Sequence, residues 1–234
     1  MQWPEFTPAS FIKTLHIEFT TSREYIHSVR KVKDNNSNRV EPYEPSMFIY
    51  SFFTFNSLYN INWKKTQNEN FQYIIHHKGI SERNRIKKYL SFIWLNHTDN
   101  PAIEFNRTFI QVIMQYLNAK GKSANSIEWI KENMADFVYL PDIQNDNSNE
   151  FDEQIVVKFT NILLSSLENR NLDFKSICDI TDLIYSVRCN LFHGAKDPEF
   201  FEKTHQMERF VIYAAVLTAV NQMYFNVIKH LFTK

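Results

Sequence analysis

Apolar residues recur at intervals of three and four along most of this chain, which is the spacing of helices that bury one face. The clearest case runs from Phe151, where Ile155, Val156, Phe159, Ile162, Leu163 and Leu167 form an amphipathic stripe. Ile177, Ile180, Ile184, Val187 and Leu191 continue it on a second helix. Upstream, Phe48, Phe52, Tyr59 and Trp63 define a helix from Ser46 to Trp63, with Asn56 on the same stripe. A buried amide there needs partners, and Arg188, the open carbonyls at its helix end and neighbouring backbone are all candidates. Ser81 with Glu82 predicts the start of a helix to about Asn96, and further helices are expected over Pro101–Ala119, ending before Gly121, and over Ser126–Phe137. The last helix should run from Pro198 to about Leu231, with Phe201, Met207, Phe210, Val211, Ala214, Thr218, Asn221 and Phe225 facing inward.

Two polar, turn-rich stretches interrupt this pattern. Asp34–Pro45 reads as a loop dividing an N-terminal extension from the core, and Leu140–Glu150 as a second loop without metal-ligand geometry. Residues 8–33 have an imperfect helical spacing, with a candidate strand at His16–Thr20. The expected architecture is an all-α antiparallel helical bundle in one domain, residues 1–45 being an extension and 46–232 the core.

Composition sharpens this. Among 234 residues there are 3 glycines and 7 prolines against 21 phenylalanines and 11 tyrosines, which leaves little material for tight hairpins and favours long helices. The 26 basic and 26 acidic residues cancel, so RNA binding would rest on local patches rather than on a global field. Cys178 and Cys189, eleven residues apart on one expected helix, would stand roughly 16 Å apart, too far for a disulfide. That suits a reducing cytoplasm. The N-terminal residues lack the pattern of a secretory leader, and the longest apolar run, Phe210–Val220, is too short to span a bilayer, so no membrane association is expected.

The residues that carry chemistry lie at Ser186–Gly194. A helix ending at Asn190 or Leu191 carries Arg188 on its last turn and leaves His193 in the turn that follows, with Gly194 free to adopt the left-handed conformation that closes helices. Asp197, Pro198 and Glu199 then suit the start of another helix. Glu24 with His27 and Glu202 with His205 have the spacing of di-iron helices, but no helix before Glu24 supplies the extra carboxylate. We therefore expect no metal and no cofactor. Glycine-rich phosphate loops, dinucleotide fingerprints and hydrolase nucleophile elbows are absent from the sequence. Between Lys64 and Lys88, Lys78, Arg83, Arg85, Lys87 and Lys88 interleave with aromatics and form a candidate RNA-contacting face. A solvated helix face has the same pattern and is the commoner explanation.

Arg188, four intervening residues and His193 resemble the signature of the HEPN superfamily, helical proteins that include many RNA-cleaving toxins. The residue after the arginine, often polar in that family, is Cys189, with the amide one place later at Asn190. Phe55 to Asn60 is similar to the N-terminal helix of some HEPN subfamilies, so the resemblance covers roughly residues 46–232. It implies His193 as the base, Arg188 as the phosphate stabiliser and Asn190 as an orienting group, with Asn56 in support. It also implies a homodimer whose two motifs share a cleft, RNA as substrate, and a neutralising protein encoded nearby. A metal-independent toxin or defence endoribonuclease leaving 2′,3′-cyclic phosphate is one function of such a chain. A noncatalytic dimerisation module that binds RNA or protein is the other.

Overall fold

A computed structural model describes residues 29–34, 37–42, 44–60, 79–121, 126–138, 152–192 and 206–232. Eight helices and one hairpin are seen among them. The strands are β1 (Val29–Asp34) and β2 (Ser37–Pro42). The helices are α1 (Glu44–Tyr59), α2 (Glu82–Asn96), α3 (Pro101–Ala119), α4 (Ser126–Glu132), α5 (Met134–Phe137), α6 (Asp152–Leu167), α7 (Phe174–Phe192) and α8 (Gln206–Phe232). The buried core is all-α, with every helix contributing to one apolar cluster.

The helices whose ends carry strong local signals begin where those signals stand. Ser81 has an extended backbone and its hydroxyl accepts from the Asn84 amide at 3.4 Å, starting α2. Asn100 accepts from the Ala102 amide at 2.9 Å, and Pro101 occupies the first turn of α3, where its missing N–H costs nothing. Past the end of α3, Gly121 takes φ +67°, the left-handed conformation a side chain would resist. The Glu44 carboxylate ties this end to the start of α1, accepting from Tyr116 Oη and from Lys120 Nζ, each at 2.8 Å.

Several expectations are corrected. Part of the stretch from Asp34 to Pro45 is not loop: β1 and β2 pair antiparallel from Val29 opposite Pro42 to Asp34 opposite Ser37, and β2 lies against α3. Polar, turn-rich composition is shared by loops and short hairpins, and only the backbone pairing separates them. The single helix expected over Ser126–Phe137 is two, broken at Asn133, whose side chain donates to the Trp129 carbonyl at 2.7 Å. Helix α1 ends at Tyr59 rather than at Trp63, which lies outside the described residues, as do residues 8–28 and 140–150.

The last helix has no single inner face. From Arg209 to Asn221 every residue of α8 is buried, because α1 and α3 pack extensively on it and α2, α5 and α7 add to its cover. Phe225, expected inside, is only half-buried, while Phe201 lies outside the described residues. Glu208–His230 is, by length and composition, apolar enough to cross a membrane, which the shorter run Phe210–Val220 concealed. Its most apolar window is 83% buried against the rest of the protein, as in a central core helix.

Candidate functional site

Three helices bring their polar positions to one corner: the end of α1, the beginning of α2 and the second half of α7. Glu82 is at its centre. As the first residue of α2 it occupies the turn where the helix dipole favours negative charge. Its Oε1 accepts from the Tyr59 hydroxyl of α1, and its Oε2 accepts from the Tyr185 hydroxyl of α7 at 2.7 Å. Both carboxylate oxygens are thereby engaged by phenols from two other helices.

Arg188 follows Tyr185 by three residues, so the two side chains share a face of α7. Its guanidinium carbon lies 5.2 Å from the centroid of the Phe52 ring, and its Nη1 is 3.8 Å from Cys189 Sγ. The side chain is half-buried, with Nε wholly shielded from solvent. A cation backed by an aromatic face and flanked by protein has fewer orientations than one on an open surface.

Two further arginines stand on the first turns of α2. Arg83 pairs with Asp182 of α7 at 3.1 Å, donates to Ser186 Oγ at 3.0 Å and lies over the Tyr185 ring. Arg85 donates through Nη1 to Asn60 Oδ1. Asn60 in turn donates to the Asn56 carbonyl at 2.8 Å, and Asn56 Oδ1 lies 2.5 Å from the Tyr59 hydroxyl. A continuous polar chain therefore runs from Arg85 through both asparagines and Tyr59 to Glu82 and Tyr185. Among these residues three guanidiniums face two carboxylates, which leaves the corner net positive.

The ionisation states of the corner are fixed by its geometry. Burial alone would raise the Glu82 carboxyl, but hydrogen bonds from Tyr59 and Tyr185 and the charges of Arg188 and Arg85 outweigh it and hold it below its usual range. Burial pushes the Tyr59 and Tyr185 phenols up, and their bonds to Glu82 push them further. Near neutral pH the cluster is thus one carboxylate held by two protonated donors. The Cys178 thiol, on the same helix as Arg188, is pushed up to about 11, by burial first and by Asp179 second, so it is a packed thiol rather than a thiolate.

The sequence-predicted site residues distribute unevenly. Arg188, Asn56, Arg83 and Arg85 come together here. Asn56 is half-buried and its side chain meets Tyr59 and Asn60, where the sequence left Arg188, the carbonyls at the helix end and neighbouring backbone open as partners. Lys87 and Lys88 are exposed farther along α2. Asn190 is in α7, which extends to Phe192, a residue or two past the expected end, and its side chain is outside the described residues. His193 and Lys78 are outside them altogether. Among the described residues no group of three His, Cys, Asp or Glu side chains is placed to hold a metal, and both cysteines are free.

Glu82, Tyr59, Tyr185 and Asn60 were not foreseen as a unit. One signal was available: Tyr185 stands three before Arg188, on the same helical face. Nothing local links Glu82 to it, since 103 residues separate the pair. In comparison with known proteins, no family model, no curated protein and no solved structure matches this chain.

Proposed function

We propose that the protein is a metal-independent endoribonuclease of HEPN type, a toxin or defence effector whose helices form an antiparallel HEPN-like bundle and whose active cleft is shared in a homodimer. The observation that carries this is Arg188 itself: a half-buried guanidinium backed by Phe52, in a corner with Arg83 and Arg85. Cleaving RNA without a metal needs a base to take the 2′-hydroxyl proton and a fixed cation for the charge that grows on the phosphoryl oxygens. In this reading His193 takes the proton and the 2′-oxygen attacks phosphorus. The 5′-oxygen then leaves and acquires a proton, and a 2′,3′-cyclic phosphate remains. Arg188 binds the phosphoryl oxygens through this sequence, and Asn190 orients the base.

The test is cleavage of a mixed RNA pool in EDTA with the product ends examined. Cyclic phosphate ends are expected, with a rate that depends on a group titrating near pH 6–7, the ordinary range of histidine. Activity lost in EDTA and restored by magnesium would overturn the mechanism, and a clean monomer at high concentration would overturn the shared cleft.

A second reading has its own observation. Phenols from α1 and α7 hold Glu82 of α2, and Asp182 of α7 pairs with Arg83 of α2, so the corner also serves as a polar joint between three helices. Under that reading the protein is a noncatalytic module that binds RNA or a protein partner. RNA left intact at micromolar dimer would favour it.

A further inference from the structure

We propose that the outer face of α2 is the track along which the RNA backbone reaches the corner, its phosphates held by Lys87 and Lys88; this rests on the nuclease reading above for the identity of the polyanion. The cations of α2 stand at the wrong end of their helix. Arg83, Arg85, Lys87 and Lys88 all lie in its first two turns, where the helix dipole favours carboxylates, and its last turn holds no basic residue. Arg83 and Lys87 are four residues apart, so their mutual repulsion adds to the cost. The one acidic side chain of α2, Glu82, has both oxygens engaged by Tyr59 and Tyr185. Carboxylates of the facing helix are engaged as well: Asp182 pairs with Arg83, and Asp179 pairs with Lys158 of α6 at 2.6 Å. Lys87 and Lys88 are exposed, and neither makes an ion pair among the described residues. A face that only keeps a helix in solution mixes its signs or pairs opposite charges at i,i+4. Here the sign is uniform and the placement opposes the fold, the kind of local conflict that marks a functional surface. The face also leads to the corner. Arg83, about 6 Å before Lys87 along the helix, donates to Ser186 and lies over Tyr185, on the stretch of α7 that carries Arg188. Since 26 basic and 26 acidic residues cancel over the whole chain, a local array of this kind has to supply the attraction for a polyanion.

The test separates binding from cleavage by using a labelled 2′-O-methyl oligouridylate, which lacks the attacking hydroxyl, titrated with the full-length protein at several KCl concentrations. The double variant Lys87→Gln, Lys88→Gln should bind about tenfold more weakly at roughly 50 mM KCl, and the slope of log K against log salt should flatten by about 1.4, which is about 0.7 for each lost phosphate contact. Lys87→Arg with Lys88→Arg keeps the charges and should retain both affinity and slope. Asn84→Lys, exposed on the same face, should tighten binding and steepen the slope. The melting temperature of the double glutamine variant should stay level or rise, because cations are removed from the positive end of a helix. Unchanged affinity and slope in that variant overturn the proposal, as does a lowered melting temperature. Binding to phosphatidylserine vesicles with none to the oligonucleotide also overturns it, since the face would then take a membrane. If RNA with its 2′-hydroxyls binds through these lysines and stays intact, the nuclease reading falls and the track stands.

Discussion

The axis of α8 is shut off from water and the corner around Glu82 is half-open to it, and the two are held together by different physics. Along α8, Val211, Ala214, Ala215, Val216, Leu217, Ala219 and Val220 are all at 2% exposure or less, and Phe48 of α1 meets Phe210 with ring centroids 5.8 Å apart. The free energy here comes from apolar area removed from water and from close packing, neither of which depends strongly on direction. In the corner, two phenols, two carboxylates and three guanidiniums depend on individual polar contacts, where moving one atom leaves another unsatisfied. The axis should therefore respond to lost volume, and the corner to lost charge or a lost donor even when the shape is kept.

The largest contrast comes from emptying the core. Phe55 is fully buried and touches the rings of Phe52, Tyr59 and Tyr89, so Phe55→Ala should destabilise by about 3–5 kcal/mol in urea unfolding. Ile184→Ala on α7, one turn before Arg188, should cost about 2–5 kcal/mol. A change below 1 kcal/mol at Phe55 would mean that the shared cluster is looser than its burial indicates.

Next come the charged residues. Arg188→Ala should lower cleavage by about 10²–10³-fold, as removal of a transition-state donor does. The cost to folding should be on the order of 1 kcal/mol or less, because the side chain is only half-buried. His193→Ala should abolish cleavage. Parental rates in both variants would leave the corner a structural joint only.

A smaller effect separates the regions by its sign. The Tyr89 hydroxyl is buried and has no hydrogen-bond partner among the described residues, its ring 4.8 Å from that of Tyr224, so Tyr89→Phe should be neutral or stabilise by about 1 kcal/mol. The same atom removed from Tyr59 takes a donor from Glu82, and Tyr59→Phe should destabilise by about 1–2 kcal/mol. Equal shifts in melting temperature for the two variants would remove the distinction between axis and corner.

The smallest effect concerns pH. Glu82 has a folded pKa below its unfolded one, so its contribution is complete above the unfolded value, about 4.3, and is lost as pH falls through the lowered folded value. Glu82→Gln should flatten the acid side of the melting temperature profile and leave its shape above pH 6 unchanged. A profile parallel to that of the parent down to pH 3 would show that the carboxylate gains nothing from its two phenols.

Much of the helical layout was legible because its signals are local. Ser81, Asn100 with Pro101, and Gly121 mark helix ends by their own backbone and side-chain chemistry, within one turn of the residues they cap. The stripe on α7 was equally plain, and Ile177, Ile180, Ile184 and Val187 are all buried. The β1–β2 hairpin was not legible, since its residues do not alternate in polarity and the pairing partner is a property of two segments. The all-round burial of α8 was missed for a related reason: a helix apolar on every side has no preferred face in its sequence, and only its neighbours determine how much of it is covered.

From the sequence alone came a helical protein with an arginine at a helix end and an aromatic-rich core, because propensity, capping and periodicity act over a few residues. The tertiary structure decided what surrounds that arginine. Tyr59 and Glu82 are 23 residues apart, and Tyr185 is 103 from Glu82, so no window along the chain could show that two phenols hold one carboxylate between three helices. Hydrogen bonds of that kind are set by how α1, α2 and α7 pack. The packing follows from the apolar faces of these helices, and the polar corner forms where those faces end.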